Sequence, residues 1–378
     1  MIIFVMKKRL RQSYFQSIGL LFSMIYPFWC ILYPVIDVEN KKPLIGLAVI
    51  IFIGIVLAWW SQSKPRIHEV KQEKILLDTY VSITAFDTDK SKAAKAIKEA
   101  FSEISKVDSK LNRYSPRSEI SKINKVAAQK PVRVSEDTFK VLGLAEKYHK
   151  ITAGAFDITV GPLVSLWDFN KKKVPKQSEI TAKLKLVSFR NIKLDKNNRT
   201  VRLLKEKVVL DLGAVAKGYA ADKAYQSLRK SGIKSALINT GSTTIILGKK
   251  ETGPFRIGIV HPRKRDEIIG LLALKNQSLS TSGDYQQYFV KSGRRYNHII
   301  DPKTGRPATS LMAVTIITNK SCAEADILST AFFVLGKKKG YGLINKLKNT
   351  SAIAVTGKGN ILNDQRAKTF IEELESKL

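Results

Sequence analysis

Apolar and polar positions follow three rhythms along the chain. The first is an unbroken apolar run. Residues 43–60, PLIGLAVIIFIGIVLAWW, hold no charge and end in two tryptophans suited to a membrane interface. A transmembrane helix near the lower end of the usual length is expected there. Residues 15–36, FQSIGLLFSMIYPFWCILYPVI, form a second uncharged run broken by Pro27 and Pro34. It reads either as a second span or as a poorer hydrophobic segment.

The second rhythm is helical. KAAKAIKEAFSEISKVDSKL sets Ile97, Phe101, Ile104, Val107 and Leu111 at steps of 4, 3, 3 and 4, the stripe of an amphipathic helix. Ser135 is placed to cap a second helix through Phe139, Leu142 and Tyr148. AEADILSTAFFVLG, 323–336, predicts a buried helix, yet it carries Asp326 and Thr330 four residues apart, on one face.

The third rhythm is β. ILLDTYVSITAF (75–86) has strand character, and KVVLDLG, SALINTG, TTIILG, FRIGIV, EIIGLLALKN, LMAVTIIT and SAIAVTG are short β-rich runs bounded by turn formers. QYFVKSGRRYNHII predicts a hairpin turning at Ser292-Gly293. This order predicts an α+β fold: a mixed, largely antiparallel sheet core with flanking helices, preceded by the N-terminal transmembrane segment or segments. The expected divisions are a membrane anchor over 1–63, a linker at 64–72 and a soluble domain over 73–378.

Charge adds a second constraint. The chain holds 65 Lys+Arg against 32 Asp+Glu, a net of +33. Residues 1–66 hold eight basic and two acidic residues, which leaves 57 − 30 = +27 on the remainder. Such a field attracts polyanions, but no zinc finger, RNP motif or helix-turn-helix signal is present, so no nucleic-acid partner is expected. The charge reads as a lysine-rich solvated surface. Cys30 and Cys322 stand far apart with no CxxC or Cys/His spacing, which argues against a disulfide framework and a zinc site. KKRLR near the start favours a cytoplasmic N-terminus. Two spans would return the soluble domain to the cytoplasm; a single span, favoured by Lys41 and Lys42 before the second segment, places it outside.

Four polar clusters interrupt apolar surroundings: GAFDITVGPL (154–163), VVLDLGAVAKGYAAD (208–222), STSGDYQQYF with GRRYNHIIDPKTGRP (280–307), and the 323–336 helix. Each has a structural reading of its own. Asp157 and Asp211 could be turn residues, Asp326 an N-cap, Thr330 a back-bonding hydroxyl and His298 a core histidine. Together they combine hard oxygen ligands, a lysine and glycine-rich backbone, the set that pyrophosphate chemistry with magnesium requires.

In this order the four clusters resemble the ApbE-type FAD:protein FMN transferases over roughly residues 70–365. That family has a GAFD segment, DLGxxAKGYAxD, SGDY…GxxYxHxxDPxTGxP and ADxxxT. YSPRSEISKIN (114–124) is similar to its segment after the first helix. The resemblance implies a T-fold-like domain that cleaves FAD at its pyrophosphate and attaches FMN to a threonine of a partner protein, releasing AMP with Mg²⁺ required. It places the metal on Asp326, Thr330 and the backbone oxygen of Ala214. It places FAD against Tyr114, Ala155, Phe156, Asp157, Asp211, Lys217 and the backbone near Ile300. His298, with Asp326, is the catalytic candidate, as general base for the threonine hydroxyl.

It further implies an acceptor in membrane-linked electron transfer, an enzyme at the cell membrane and an extracytoplasmic domain. The chain departs from the family pattern at Leu77-Asp78-Thr79, where Met-Gly-Thr is frequent, and at Thr240-Gly241-Ser242-Thr243, where Gly-Gly follows SALIN. The alternatives are an FAD pyrophosphatase releasing FMN and AMP, a non-catalytic FAD-binding protein, and a binder of anionic polymers.

Overall fold

The computed structural model describes residues 42–62, 66–264 and 266–378, in two units that divide after Arg66. The first unit contributes one described element, helix α1 (Lys42–Gln62, 21 residues). Its side chains are described for 46–56 alone, and Leu47, Ile50 and Ile53 there are exposed. Among the described residues no helix is long and apolar enough to cross a membrane. The expected span at 43–60 extends beyond that part, and the run at 15–36, with Cys30, lies outside the described residues.

The second unit is built on an eight-stranded sheet. Its strands are β1 (His68–Leu76), β2 (Thr79–Asp87), β3 (Ser235–Thr240), β4 (Thr243–Leu247), β5 (Ser278–Gly283), β6 (Leu311–Thr318), β7 (Thr350–Thr356) and β8 (Ile361–Asn363). Their order in space is their order in the chain, and every neighbouring pair is antiparallel. The large sheet is therefore wholly antiparallel rather than mixed.

Helices α2 (Lys90–Leu111), α3 (Ala216–Lys230) and α4 (Cys322–Asn345) cover one face. A three-stranded sheet of 255–260, 268–274 and 371–374 covers the other. In β7, Ala352 and Ala354 pack toward the helices while Ile353 and Val355 pack into the second core. A sheet buried on both sides needs apolar residues on both, which is why its strands read as continuous apolar runs.

The helical expectations hold. Ile97, Phe101, Ile104, Val107 and Leu111 are all buried on α2. Ser135 caps Glu136–Ile151 by accepting from Thr138 N. Strands 288–291 and 294–297 pair across Ser292 and Gly293, both at positive φ. The buried helix α4 breaks at Gly336, where φ is 71°, the residue at which the apolar run ends.

Three expectations change. The stretch 75–86 is two strands, because Leu77 and Asp78 take positive φ and turn the chain. The linker at 64–72 gives way to β1 from His68; its inward alternation is masked by charges along this edge strand. KVVLDLG forms no strand. Its Val208, Leu210 and Leu212 are buried, with Leu210 held by both ends of the Asn124 amide (2.7 and 3.1 Å). Side-chain amides can replace a ladder wherever a buried backbone needs partners.

Candidate active site

Helix α4 is fixed at its start by two devices. Ser321 and Glu324 form a capping box. Asp222 of α3 then accepts from Cys322 N at 2.7 Å and Ala323 N at 3.0 Å. Burial pushes the Asp222 carboxyl up to about 7. With Ser321 as the cap, Asp326 is free of that duty and lies inside the helix, 3% exposed.

Its carboxylate has only long contacts. Oδ2 accepts from Gly218 N at 3.2 Å, and Oδ1 faces the hydroxyls of Ser280 (3.3 Å) and Thr243 (3.4 Å). Asp326 makes no ion pair among the described residues, and burial raises its pKa although the Lys217 charge pulls the other way. A buried carboxylate is costly unless a cation or short hydrogen bonds meet it. Thr330 Oγ1 lies 3.2 Å from Ser282 Oγ.

This donor set fits Mg²⁺, which takes one or two carboxylates and completes its shell with neutral oxygens, water and phosphate. Among the described residues no three His, Cys, Asp or Glu side chains come together as metal ligands.

The DLGAVAKG segment folds as a turn into α3. Asp211 Oδ1 accepts from Gly213 N (2.8 Å), Oδ2 pairs with Arg113 Nη1 (3.1 Å), and Lys217 Nζ donates to Gly213 O (2.8 Å). Ala214 sits within this turn. In the GAFD segment, Asp157 Oδ1 accepts from Thr159 N and Oγ1 at 2.8 and 2.6 Å, and Oδ2 lies 3.3 Å from His149 Nδ1. The Asp157 carboxylate thus holds its own loop, and that pairing raises the His149 pKa.

His298 Nδ1 is 3.2 Å from Gln287 O. A carbonyl only accepts, so the proton of the neutral ring sits on Nδ1 and Nε2 keeps its lone pair. The surrounding protein and the Lys217 charge lower the His298 pKa to about 4. The ring stays neutral because its cationic form lacks solvent and meets a like charge.

These segments enclose one cavity of about 1090 Å³. All eleven residues singled out in the sequence line it. Tyr114, 69% exposed, stands at its rim under the Arg113 guanidinium (4.7 Å). Ala155, Phe156 and Asp157 come from one loop, and Asp211, Ala214 and Lys217 from the turn. His298 and Ile300 follow the hairpin, and Asp326 and Thr330 come from α4.

Sequence reasoning missed Arg113, His149, Asp222, Thr243, Ser280 and Ser282. Asp222, Ser280 and Ser282 stood inside motifs already singled out, and Thr243 in the 240–243 departure, without a role assigned; Arg113 and His149 lay outside those motifs. The departures at 77–79 and 241–242 also line this cavity. Gly241, at φ 83°, makes the tight turn alone, so Thr240 leaves it intact.

The sequence pattern of the ApbE family matches residues 77–354. The chain belongs to the ApbE family. It is 32% identical over 306 residues to an FAD:protein FMN transferase of Klebsiella pneumoniae (strain 342), covering 80% of this chain and 94% of that protein. A Haemophilus influenzae protein of the same name is 33% identical over 250 residues, covering 64% of this chain and 72% of its own. Among solved structures, the ApbE protein of Thermotoga maritima superposes with a TM-score of 0.75 at 32% identity, over 81% of this chain and all of that one. The flavin transferase ApbE of Vibrio cholerae gives 0.70 at 26%, again over 81% and 100%.

Proposed function

We propose that this ApbE-family chain is a Mg²⁺-dependent FAD:protein FMN transferase, moving FMN from FAD to a threonine of an acceptor protein with release of AMP. The observation that carries the Mg²⁺ reading is Asp326, a buried carboxylate with no ion pair among the described residues, at the wall of a cavity large enough for a dinucleotide. Small-molecule sites run to about 1,000 Å³, and this one is at that limit.

Each residue then has a role. Asp326, Thr330 and the Ala214 carbonyl would hold Mg²⁺, which neutralises pyrophosphate charge when bound. Lys217, anchored on Gly213 O, adds a fixed cation beside the same turn. Tyr114 and the Ala155–Asp157 loop position the substrate. The threonine oxygen bonds to the FMN phosphorus as the bond from that phosphorus to the AMP oxygen breaks. The hydroxyl proton passes to His298 Nε2. The apolar walls limit the competing attack by water.

The test incubates the purified chain with FAD, Mg²⁺ and an acceptor domain proven with another transferase. A mass gain of one FMN on the acceptor, lost in EDTA, supports the reading. FMN and AMP without that gain would make it a pyrophosphatase, and intact FAD would sink both. Because His298 is already neutral well below pH 6.5, the transfer rate is expected to stay level through roughly pH 5.5–7 and fall only toward pH 4. An acid limb centred near 6.5 in the kcat profile would contradict this.

The chain is further proposed to sit in the cell membrane through α1 and its flanks, with the 73–378 domain extracytoplasmic and its acceptor a membrane-linked redox protein. The support for this is the uncharged 43–60 run, whose 18 residues reach the lower end of a spanning length. Protease added to intact cells is expected to release the domain; protection in intact cells and cleavage only after lysis would reverse the orientation.

A further inference from the structure

The small core of Leu163, Trp167, Ile180, Phe289 and Ile300 has two sides. Trp167 and Ile300 face the large cavity, as does the neighbouring Phe169. The outer side is cationic. Lys171, Lys172 and Lys173 follow Phe169 in the chain, and the 288–297 hairpin carries Lys291, Arg294 and Arg295.

Aromatic contacts join the two segments: Phe169 meets Phe289 at 5.8 Å and Trp167 meets Tyr296 at 5.6 Å. Lys171 pairs with Asp168 at 4.0 Å and Lys173 with Glu179 at 3.2 Å. Lys172, Lys291, Arg294 and Arg295 make no ion pair among the described residues.

The hairpin also borders a second cavity, of about 300 Å³, lined by Asp284, Gly293, Arg294, Arg295, Asn297 and Thr309. The Asp284 charge is taken up by Arg263 through two contacts of 2.6 and 2.8 Å. Arg295 lies over the Tyr288 ring at 3.8 Å, and its Nη1 is buried with no hydrogen-bond acceptor. A buried donor without an acceptor is costly, and a carboxylate is the acceptor whose shape matches a guanidinium.

We propose that this cationic lip docks an acidic face of the acceptor protein, with one acceptor carboxylate seated beside Arg294 and Arg295. The inference rests on the transferase reading above, because only a transferase needs a protein held there. The hairpin runs directly into His298 on the cavity wall, so a partner gripped on the lip is held next to the group that takes the threonine proton. A lipid surface is the other anionic ligand near a membrane. A walled cavity with a buried guanidinium donor, on the hairpin that leads into His298, favours a protein side chain.

The test uses the full chain and an acceptor domain that it modifies. The variant Lys172→Glu/Lys291→Glu/Arg294→Glu is compared with Lys337→Glu/Lys338→Glu/Lys339→Glu. Each triple lowers the net charge by six, from +33 to +27, and none of the six residues lines the large cavity. The lip variant is expected to raise KM for the acceptor about tenfold or more, with KM for FAD and kcat unchanged, while the control stays within about twofold of the parent. Added salt should raise the parent's acceptor KM and affect the lip variant less.

An unchanged acceptor KM in the lip variant, or an equal rise in the control, would overturn the proposal. So would binding to anionic vesicles that the lip substitutions abolish without moving the acceptor KM. Cleavage of FAD, followed in the same samples, separates the two readings: an unmodified chain that cleaves no FAD refutes the transferase, whereas the docking surface stands or falls on the KM ratio.

Discussion

Replacing Asp326 by Asn is expected to slow FMN transfer by about three orders of magnitude while leaving the chain folded. Asparagine keeps the size of the side chain and an oxygen to accept from Gly218 N, now at 3.2 Å. It removes only the charge, and that charge has no ion pair among the described residues. Without metal the variant should melt no lower than its parent, since the cost of burying a carboxylate is gone.

With Mg²⁺ and FAD present the two diverge. A ligand that binds the folded state at a hundred times its Kd stabilises it by about 2.7 kcal/mol, and the parent alone should show that gain. Rates by acceptor mass and melting curves with and without Mg²⁺ check both halves. A loss below about tenfold, or equal stabilisation of both chains by Mg²⁺, would remove Asp326 from the metal site and leave Lys217 as its main cation.

The site was legible in the sequence where its chemistry is local. Asp326 and Thr330 share a helix face by spacing alone, and Asp211, Ala214 and Lys217 lie on one turn. Such segments carry their geometry with them. What was not legible is what the fold brings from elsewhere. Arg113 reaches Asp211 across 98 residues, and Ser280 and Thr243 approach Asp326 only because β4 and β5 are neighbours under α4. No period or spacing encodes those meetings.

The sheet was hard to read for a related reason. Strands covered on both faces lose the alternation that separates inside from outside, and β1, at the edge, hides its inward residues among charges. The buried 208–212 segment looks like a strand because it has a strand's composition. It lacks only a neighbouring strand, and the Asn124 side chain takes that place.

One position ties fold and chemistry together most tightly, and Gly218→Ala is expected to damage both. A Cβ at Gly218 would stand 2.4 Å from Cys322 O, 2.6 Å from Ala323 Cα and 2.7 Å from Ala323 N. All three are backbone atoms of the first turn of α4, so no side chain can swing aside. Helices α3 and α4 must separate, at a cost of about 3 kcal/mol by comparison with overpacked cores.

Separation also draws Asp222 away from Cys322 N and Ala323 N and withdraws the Gly218 N–H from Asp326. A shift of about 1 Å in a catalytic group can cost a hundredfold in rate, so activity should fall by that order even at temperatures where the variant is folded. Gly143→Ala supplies the contrast: it lies inside the 136–151 helix with nothing within 4 Å of the added carbon. It should stabilise by about 0.5–1 kcal/mol through helix propensity. Equal behaviour of the two alanine variants in chemical denaturation and transfer rate would mean that the close approach of α3 to α4 does not set the geometry of Asp326.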